Sequence, residues 1–190
     1  MGGGSRSGLL RISGGSLTGR TIPVPPGVIR PAMDRMRESV FAVLGGLNGA
    51  SFLDLFSGSG IIALEAASRG ASRIDAVESD PGKRKTLIAN AGLSPVRINC
   101  HFMAVELFVR NNSRNSGQAF DFIFCDPPFS YKYKEALLLS IGSSRLMSET
   151  SLLLIHRPKF EQINGDCKIL ELQETKAYGN STIDFFRKKI

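Results

Sequence analysis

The sequence predicts an α/β protein with a mostly parallel sheet and helices on both faces, and three observations predict this class. Short runs rich in β-branched and aromatic residues alternate with stretches of helical spacing from residue 51 to residue 156. Repeated units of this kind form parallel sheets that helices cover. A glycine-rich turn follows the first run, at the position where open α/β sheets bind ligands. The last two runs flank Gly179-Asn180-Ser181, which predicts an antiparallel C-terminal hairpin.

Length and composition are those of one soluble domain. The 190 residues are 42% hydrophobic and 22% charged, and no apolar run is long enough to cross a bilayer. Residues 1–8 are rich in glycine and lack the apolar centre of a signal peptide, so we interpret them as a flexible leader. The three cysteines, Cys100, Cys125 and Cys167, show no metal-ligand spacing. These features predict a cytoplasmic protein that uses neither a metal ion nor a membrane. The sequence is silent on oligomeric state, and a monomer is the default expectation.

The chain is basic, with a net charge of +7, which favours a polyanionic partner. Residues 1–40 carry six arginines and two acidic residues, so a net charge of +4 lies in that segment. The planar fork of arginine suits phosphate and base contacts, and this favours a nucleic-acid face over an ordinary solvated surface. The candidates for phosphate contacts, or for shaping a ligand pocket, are Arg11, Arg20, Arg30, Arg35 and Arg37.

The first part of the chain predicts a small extension ahead of the main domain. Strand-like residues 9–13 and 21–22 flank a glycine-containing segment, which predicts a short β-hairpin. Prolines in residues 23–27 exclude a helix and predict a stiff connector, so the extension covers residues 9–33. The main domain, residues 34–190, opens with a helix whose apolar stripe is Met36, Val40, Phe41, Leu44 and Leu47.

The main domain then alternates strand and helix. Strands are predicted at residues 51–56, 73–78, 96–100, 120–125 and 151–156, and the final hairpin at 168–173 and 182–188. Helices are predicted at residues 61–68, 81–91, 105–111 and 132–147, the last with an interruption near Gly142. Residues 112–118 are polar and predict a loop.

The stretch Asp126-Pro127-Pro128-Phe129 follows the buried strand at 120–125. Each proline fixes its own φ and has no N–H, so the turn is stiff and its carbonyls join no ladder. Asp126 and the Pro127 carbonyl are therefore two acceptors that can hold a planar amino group, while Phe129 stacks on the attached ring. A proline turn with an incidental aspartate is the alternative, because a four-residue motif is weak by itself.

Two acidic residues accompany the glycine-rich turn. Asp54 precedes Gly58 and Gly60 on the first strand, where it can accept from a ligand ammonium, and the spacing is not that of a dinucleotide fingerprint. Glycines at this point let a ligand approach the backbone closely. Glu78 ends the second strand, about twenty residues later, where an acid accepts from ribose hydroxyls. An amino-acid-bearing nucleotide is thus favoured over a pyrophosphate.

These strand-end features, in this order, resemble the class I S-adenosylmethionine-dependent methyltransferases. The Asp-Pro-Pro-Phe form is similar to the branch that methylates amino nitrogens of bases. The flanking residues resemble the RsmD family from about residue 9 to the end of the chain. The resemblance is carried by Arg11-Ile12-Ser13-Gly14-Gly15, Gly19-Arg20, residues 30–38, Phe41, and Tyr178-Gly179-Asn180-Ser181-Thr182.

The resemblance implies a Rossmann-like fold with a seven-stranded sheet and a methyltransferase that acts on the N2 amine of one guanine in bacterial 16S ribosomal RNA, during small-subunit assembly. It implies S-adenosylmethionine as cofactor, and the five arginines named above become candidates for RNA contacts. The implied catalytic residues are Asp126, Pro127, Pro128 and Phe129. The implied cofactor-binding residues are Asp54, Phe56, Ser57, Gly58, Gly60, Glu78, Ser79, Met103, Ala104 and Asp126.

The chain departs from the family pattern at two positions. Met103 stands where the family has an acid or amide before an alanine, so we expect backbone groups and apolar packing to hold the adenine. His156 ends the fifth strand in place of an acid, and it is given no role.

Three alternatives remain open from the sequence. One is an adenine-N6 methyltransferase acting on DNA or RNA, because the same turn can hold that amino group. Another is a non-catalytic RNA-binding assembly factor, which the change at Met103 would favour. A dinucleotide-dependent oxidoreductase is disfavoured by the glycine spacing.

Overall fold

The computed structural model describes residues 8–24, 31–113, 117–163 and 169–189, with side chains of the first helix from residue 34 onward. Residues 1–7 of the predicted leader, most of the predicted connector, Arg30 and Cys167 lie outside the described residues. The strands are β1 (Leu9–Arg11), β2 (Thr21–Pro23), β3 (Ser51–Leu55), β4 (Arg73–Val77), β5 (Ile98–His101), β6 (Phe120–Cys125), β7 (Met147–Pro158), β8 (Leu170–Tyr178) and β9 (Ser181–Lys188). The helices are α1 (Pro31–Leu44), α2 (Ile61–Ser68), α3 (Arg84–Ala91), α4 (Val105–Asn112) and α5 (Lys134–Ser143), with one 3₁₀ turn at Pro81–Lys83.

Seven strands form one sheet in the order β5-β4-β3-β6-β7-β9-β8. The first five strands of that order are parallel, and β9 runs antiparallel to both of its neighbours. The chain moves outward from β3 to β5 and then returns to β6 on the other side of β3. This reversal opens a crevice at the carboxyl ends of β3 and β6, where open α/β sheets bind ligands. The predicted mostly parallel sheet with an antiparallel C-terminal hairpin is confirmed.

Helices cover both faces of the sheet, as predicted. Side chains of α1, α2 and α3, such as Phe41, Leu64 and Leu87, pack on one face. Side chains of α4 and α5, such as Phe108 and Leu138, pack on the other. Both faces of the central strands are apolar for this reason, which is the pattern of parallel strands in α/β proteins. Among the described residues, no helix is long and apolar enough to cross a membrane.

The predicted N-terminal β-hairpin is present, since β1 and β2 pair antiparallel from Leu9 to Pro23. It is anchored on the main domain through Glu65, a fully buried residue of α2. One carboxylate oxygen of Glu65 accepts from the Ser13 amide at 2.7 Å and from Arg37 Nε at 2.9 Å. The other accepts from the Arg69 guanidinium. The extension and the main domain therefore share one buried polar network.

Arg37 corrects one prediction. It was a candidate for RNA contacts, but it is 3% exposed and its guanidinium is engaged by Glu65, Asp34 and the Arg11 carbonyl. A guanidinium held this way inside the protein is not available to a phosphate on the surface. The alternative noted for it, that it shapes the ligand pocket, agrees with its position in the lining of the main cavity.

Some element boundaries differ from the predicted ones for local reasons. Helix α1 begins at Pro31 rather than Asp34, because proline is well suited to the first helical position. It ends at Leu44, so Leu47 packs in the core from the following turn. The helix predicted to reach residue 147 ends at Ser143, because Ser144 is extended and its hydroxyl donates to the Ile141 carbonyl.

Candidate active site

The carboxyl ends of the central strands surround a cavity of about 1020 Å³. Its walls include the ends of β3, β4, β6 and β7, together with the turn between β8 and β9. The N-terminal hairpin region closes one side with Leu10 and Val24. The cavity thus lies at the reversal of strand order, and both strand-end motifs singled out in the sequence face it.

The turn after β3 bends sharply at its glycines. Phe56 has a φ of 64°, in the left-handed region that non-glycine residues seldom occupy, and Gly58 and Gly60 have φ values of 57° and 81°. A Cβ on Gly58 would meet nothing closer than 4.0 Å, which leaves room for a ligand against the backbone. A Cβ on Gly60 would lie 2.7 Å from Leu87 Cδ1. Gly60 is therefore needed for packing α2 against α3.

Asp54 is buried at the floor of the cavity. Its Oδ2 accepts from the Ser57 hydroxyl at 2.6 Å and from the Ala63 amide at 3.2 Å. Burial raises the pKa of Asp54 to about 7; the hydrogen bond from Ser57 opposes this shift, and repulsion from Asp126 and Glu78 adds to it. A cation placed in the cavity would favour the ionised form, so the site suits a positively charged ligand.

Glu78, at the end of β4, supports the glycine turn as well as facing the cavity. Its Oε2 accepts from the Gly58 amide at 2.8 Å, and its Oε1 accepts from the Asp80 amide at 2.8 Å. Lys83 Nζ lies 3.4 Å from Oε2. Each oxygen has more than one lone pair, so the carboxylate can still accept from ligand hydroxyls. Glu78 thus fixes the shape of the turn and remains a candidate ligand contact.

The Asp126-Pro127-Pro128-Phe129 turn leaves β6 directly beside the turn after β3, and all four residues line the cavity. The Asp126 amide donates to the Leu55 carbonyl at 3.2 Å, which fixes the start of the turn. Among the described residues, no hydrogen bond engages the Pro127 carbonyl, whereas the Pro128 carbonyl accepts from the Tyr131 amide at 2.8 Å. The Phe129 side chain is 39% exposed. An acceptor pair and an exposed ring therefore border the cavity.

His156 was given no role from the sequence, but the structure brings it to Asp126. Cys125 and Ile155 pair on neighbouring parallel strands, so the next residue of each strand lies side by side. His156 Nδ1 is 2.7 Å from Asp126 Oδ1, and the imidazole meets the Phe129 ring edge-on with centroids 5.5 Å apart. The register of two strand ends was the signal in the sequence that could have identified this pair.

Lys134 and Tyr131 are further residues at the site that sequence reasoning missed. Lys134 is buried, and its ammonium donates to the Tyr131 carbonyl at 2.5 Å and the Phe129 carbonyl at 3.4 Å. The Tyr131 hydroxyl donates to Glu106 at 2.5 Å, and its ring packs on Phe56. Burial and the Glu106 contact raise the pKa of Tyr131, so it remains a donor. Nothing in the sequence after the Asp-Pro-Pro-Phe motif indicates that Lys134 is buried, so it could not be identified as a residue of the site.

The comparisons with known proteins agree with this geometry. A family model described as "Conserved hypothetical protein 95" matches residues 10–187. The ribosomal RNA small subunit methyltransferase D of Escherichia coli K12 is 33% identical over 159 residues, covering 80% of this chain and 76% of that protein. The chain belongs to the RsmD family of methyltransferases. The family expected from the sequence is confirmed.

Solved structures show the same fold. The structure of Escherichia coli yhhF has a TM-score of 0.81 and 27% identity, and the match covers 96% of this chain and 99% of that one. The magnesium protoporphyrin IX methyltransferase of Synechocystis PCC 6803, solved with bound SAM, has a TM-score of 0.63 at 15% identity, with 86% of each chain covered. The second likeness shows a shared fold only. The predicted Rossmann-like class I methyltransferase fold is confirmed.

Most of the cofactor residues expected from the RsmD resemblance line the cavity, and two do not. Those that line it are Asp54, Phe56, Ser57, Gly58, Glu78, Ser79, Ala104 and Asp126. Gly60 packs against α3 instead, and Met103 is partly buried against the apolar cluster beneath α4 and α5. Val105 and Glu106 continue the wall from Ala104. Among the described residues, no group of three or more potential ligands could hold a metal ion.

Proposed function

We propose that this methyltransferase transfers a methyl group from S-adenosylmethionine to the exocyclic N2 amine of a specific guanine in bacterial 16S ribosomal RNA. The observation that carries the proposal is the pair of acceptors at the turn, the Asp126 carboxylate and the Pro127 carbonyl, beside a cavity lined by acids. Two adjacent acceptors match the two N–H groups of a planar amine. The name of the Escherichia coli relative supports small-subunit ribosomal RNA as the substrate.

The cofactor fits the charge and the shape of the cavity. Asp54, Glu78 and Asp126 place three carboxylates around it, and the open space at Gly58 lets a ligand approach the backbone. We expect Asp54 to hold the ammonium group, Glu78 to hold ribose hydroxyls, and the backbone of Ala104 to border the adenine. When bound, the cofactor supplies an electrophilic methyl group on a positively charged sulfur.

The turn after β6 positions the nucleophile. A base inside a helix cannot reach this cavity, so the guanine is extruded from the RNA before reaction. Phe129 stacks on the base, while Asp126 and the Pro127 carbonyl accept from its amine and orient the nitrogen lone pair. Catalysis then depends mainly on positioning and on stabilising the positive charge that develops on the nitrogen. Asp126 need not be a strong base, because the amine proton becomes acidic once methylated.

His156 holds Asp126 in the geometry that this mechanism needs. We assign the ring proton to Nδ1, so that Nδ1–H donates to Asp126 Oδ1 across 2.7 Å. His156 Nε2 is buried and has no hydrogen-bond partner among the described residues. A proton on Nε2 would be a buried donor without an acceptor, which favours the proton on Nδ1. One oxygen of Asp126 is thereby fixed, and the other is left for the amine.

The exposed arginines of the N-terminal part are the proposed phosphate contacts. Arg11 and Arg20 are exposed on the hairpin, and Arg35 is exposed on α1. They lie on elements next to the cavity, because Leu10 and Met36 contribute to its wall. Electrostatic contacts of this kind give affinity without sequence preference and weaken as salt increases.

The test is a transfer assay with labelled S-adenosylmethionine and small ribosomal subunits from cells that lack the enzyme. We expect the label in N2-methylguanosine after nucleoside analysis. Label in N6-methyladenosine would instead establish the adenine methyltransferase. No label from enzyme that binds the cofactor would contradict the proposal for this substrate.

The variant Asp126→Ala separates methyl transfer from cofactor binding. Asp126→Ala should lower turnover at least about 1,000-fold, because the amine loses its orienting acceptor. Cofactor affinity, measured by calorimetry, should stay within a few-fold of wild type. Turnover near the wild-type rate in Asp126→Ala would refute the mechanism.

A further inference from the structure

Two aromatic side chains are strongly exposed on segments that contact Tyr131 and Asn180 of the cavity wall. Phe160 is 89% exposed and Tyr133 is 69% exposed, the largest values among the aromatic residues that the structure describes. Phenylalanine is usually buried, so a fully presented ring at a functional site indicates a contact surface. We call Tyr133 and Phe160, with the neighbouring Lys132 and Lys159, the aromatic rim.

A buried ammonium group ties the two halves of the rim together. Lys134 Nζ lies 3.0 Å from a carboxylate oxygen of Glu161, the residue after Phe160. The same group donates to the carbonyl of Phe129, the last residue of the Asp126–Phe129 turn, and to the carbonyl of Tyr131. Since Lys134 directly follows Tyr133 and Glu161 directly follows Phe160, this ion pair joins the two backbone segments that carry the exposed rings.

The backbone that carries Phe160 is fixed on both sides. The Lys159 amide donates to the Asn180 carbonyl at 2.9 Å, and the Glu161 amide donates to the Pro158 carbonyl at 3.2 Å. The Arg157 guanidinium, itself paired with Asp184, donates to the Glu161 carbonyl. Phe160 is therefore presented by an ordered turn, and contacting it would cost little conformational entropy.

The segment between the Asp126–Phe129 turn and α5 holds the other ring in a similar way. The Tyr133 ring packs edge-on against Tyr131, with centroids 6.0 Å apart, and Tyr131 is fixed by its hydroxyl bond to Glu106. Lys132 and Lys159, which precede Tyr133 and Phe160 in the sequence, are both exposed. Of the acidic residues nearby, Glu161 is paired with Lys134, Glu106 accepts from the Tyr131 hydroxyl, and Glu135 is exposed on α5.

We propose that the aromatic rim binds the unpaired RNA nucleotides that flank the methylated base. Tyr133 and Phe160 stack on neighbouring bases, and Lys132 and Lys159 contact the phosphates between them. Rigid aromatic rings interleaved with cations are the means by which proteins hold single-stranded RNA, because every base offers a π-face. This inference rests on the proposed function, since it assigns the neighbours of the base that enters the cavity.

The test compares Tyr133→Ala, Phe160→Ala, Phe160→Leu and Phe160→Tyr with wild type. The first readout is binding of a fluorescein-labelled single-stranded RNA of about 12 nucleotides. The second is the KM for unmethylated small subunits. Each alanine variant should weaken RNA binding and raise the KM about 5-fold or more, while the cofactor Kd and Tm remain unchanged. Leu93→Ala, an exposed residue on the loop after α3, is the matched control and should match wild type.

The substitutions at Phe160 identify the partner. Phe160→Leu keeps an apolar side chain but removes the ring, so it should behave as Phe160→Ala, whereas Phe160→Tyr should keep wild-type binding. Wild-type RNA binding and a wild-type KM for small subunits in Phe160→Leu would overturn the inference. They would indicate that Phe160 makes an apolar contact with protein. Unchanged RNA binding in both alanine variants would overturn it too. The oligonucleotide assay needs no turnover, so a wild-type enzyme that binds RNA but makes no N2-methylguanosine would contradict the proposed function alone.

Discussion

His156 Nδ1 lies 2.7 Å from Asp126 Oδ1, and this contact links the ends of two adjacent parallel strands. The contact occupies one oxygen of the carboxylate and restricts its rotation at the edge of the cavity. Because His156 is only 4% exposed, it is a fixed part of the wall rather than a surface side chain. In the proposed mechanism, the imidazole is a positioning group that acts through Asp126.

The first prediction concerns that bond. His156→Leu removes the donor and should lower kcat about 10- to 100-fold, since a 1 Å misplacement of a positioned group is this costly. The KM for S-adenosylmethionine should change less than about 3-fold. His156→Asn keeps a short N–H donor and should recover most of the kcat. If both variants lose activity only in proportion to their loss of Tm, His156 has a structural role and does not position Asp126.

The second prediction is a pH dependence of cofactor binding. Burial, opposed by the Ser57 hydrogen bond and increased by neighbouring acids, raises the pKa of Asp54 to about 7. A ligand ammonium prefers the ionised carboxylate. Below pH 7 Asp54 is mostly protonated, so it must lose its proton before the ligand binds. We expect the affinity for S-adenosylmethionine to rise about 10-fold or more from pH 5.5 to pH 7.5. Calorimetry on Asp54→Asn should give weaker binding and a nearly flat profile.

The third prediction is that Asp54→Asn stabilises the protein without ligand. The pKa of Asp54 is higher in the folded protein, about 7, than the ordinary value of 3.8 in the unfolded chain. Between these values the folded state keeps a proton that the unfolded state releases, so stability falls as pH rises through this window. The variant removes this cost. We expect a Tm about 2–8 °C above wild type at pH 8 and a smaller difference at pH 4. If Asp54→Asn and wild type have the same Tm at pH 8, ionisation of the buried Asp54 carboxylate does not destabilise the fold.

The fourth prediction separates the two glycines of the first turn. Gly60→Ala combines a φ of 81° with a methyl group 2.7 Å from Leu87 Cδ1, so it should cost about 2 kcal/mol or more of unfolding free energy. Gly58→Ala meets open space and should cost about 1 kcal/mol. Its methyl group would instead occupy ligand space and weaken cofactor binding about 10-fold. Chemical denaturation and calorimetry distinguish these outcomes, and a reversed pattern would contradict both assignments.

The fifth prediction concerns the arginines. Arg37→Ala leaves the buried Glu65 carboxylate short of a partner and should destabilise the fold by about 3–5 kcal/mol. Arg35→Ala, on the exposed side of the same helix, should change stability by less than about 0.5 kcal/mol. Its effect should appear as weaker RNA binding with a smaller salt dependence. Equal stability of the two variants, measured by urea unfolding, would contradict the buried network.

The sequence predicted those parts of the fold and site that depend on local patterns. The strands of the sheet, the turn after β3 and the turn at Asp126 all follow from apolar runs, glycine and proline chemistry, and the rule that parallel strands end at one edge. The geometry of such a motif is determined by a few neighbouring residues. Asp54, Glu78 and Asp126 could therefore be predicted from the sequence to lie at the same edge of the sheet.

The parts that could not be predicted depend on contacts between distant residues. Arg37 is one of several arginines in its segment, and only its partner Glu65 on α2 makes it an interior residue. The contact between His156 and Asp126 depends on the register between β6 and β7, which a local pattern in the sequence does not give. Gly60 was indistinguishable from Gly58 because Leu87, on another helix, decides its role.

The hairpin that precedes the main domain is also a wall of the cavity, because Leu10 and Val24 line it. The same segment is tied to α3, where the Asn90 amide donates to the Pro23 carbonyl at 3.0 Å. Any ligand that moves or orders this hairpin therefore changes the free energy of whatever occupies the cavity, and by thermodynamic linkage the reverse holds. Deleting the first 24 residues would remove the proposed RNA-binding arginines Arg11 and Arg20 and, at the same time, uncover the side of the cavity that Leu10 and Val24 close. Truncation at this end thus cannot be used to separate the two binding events.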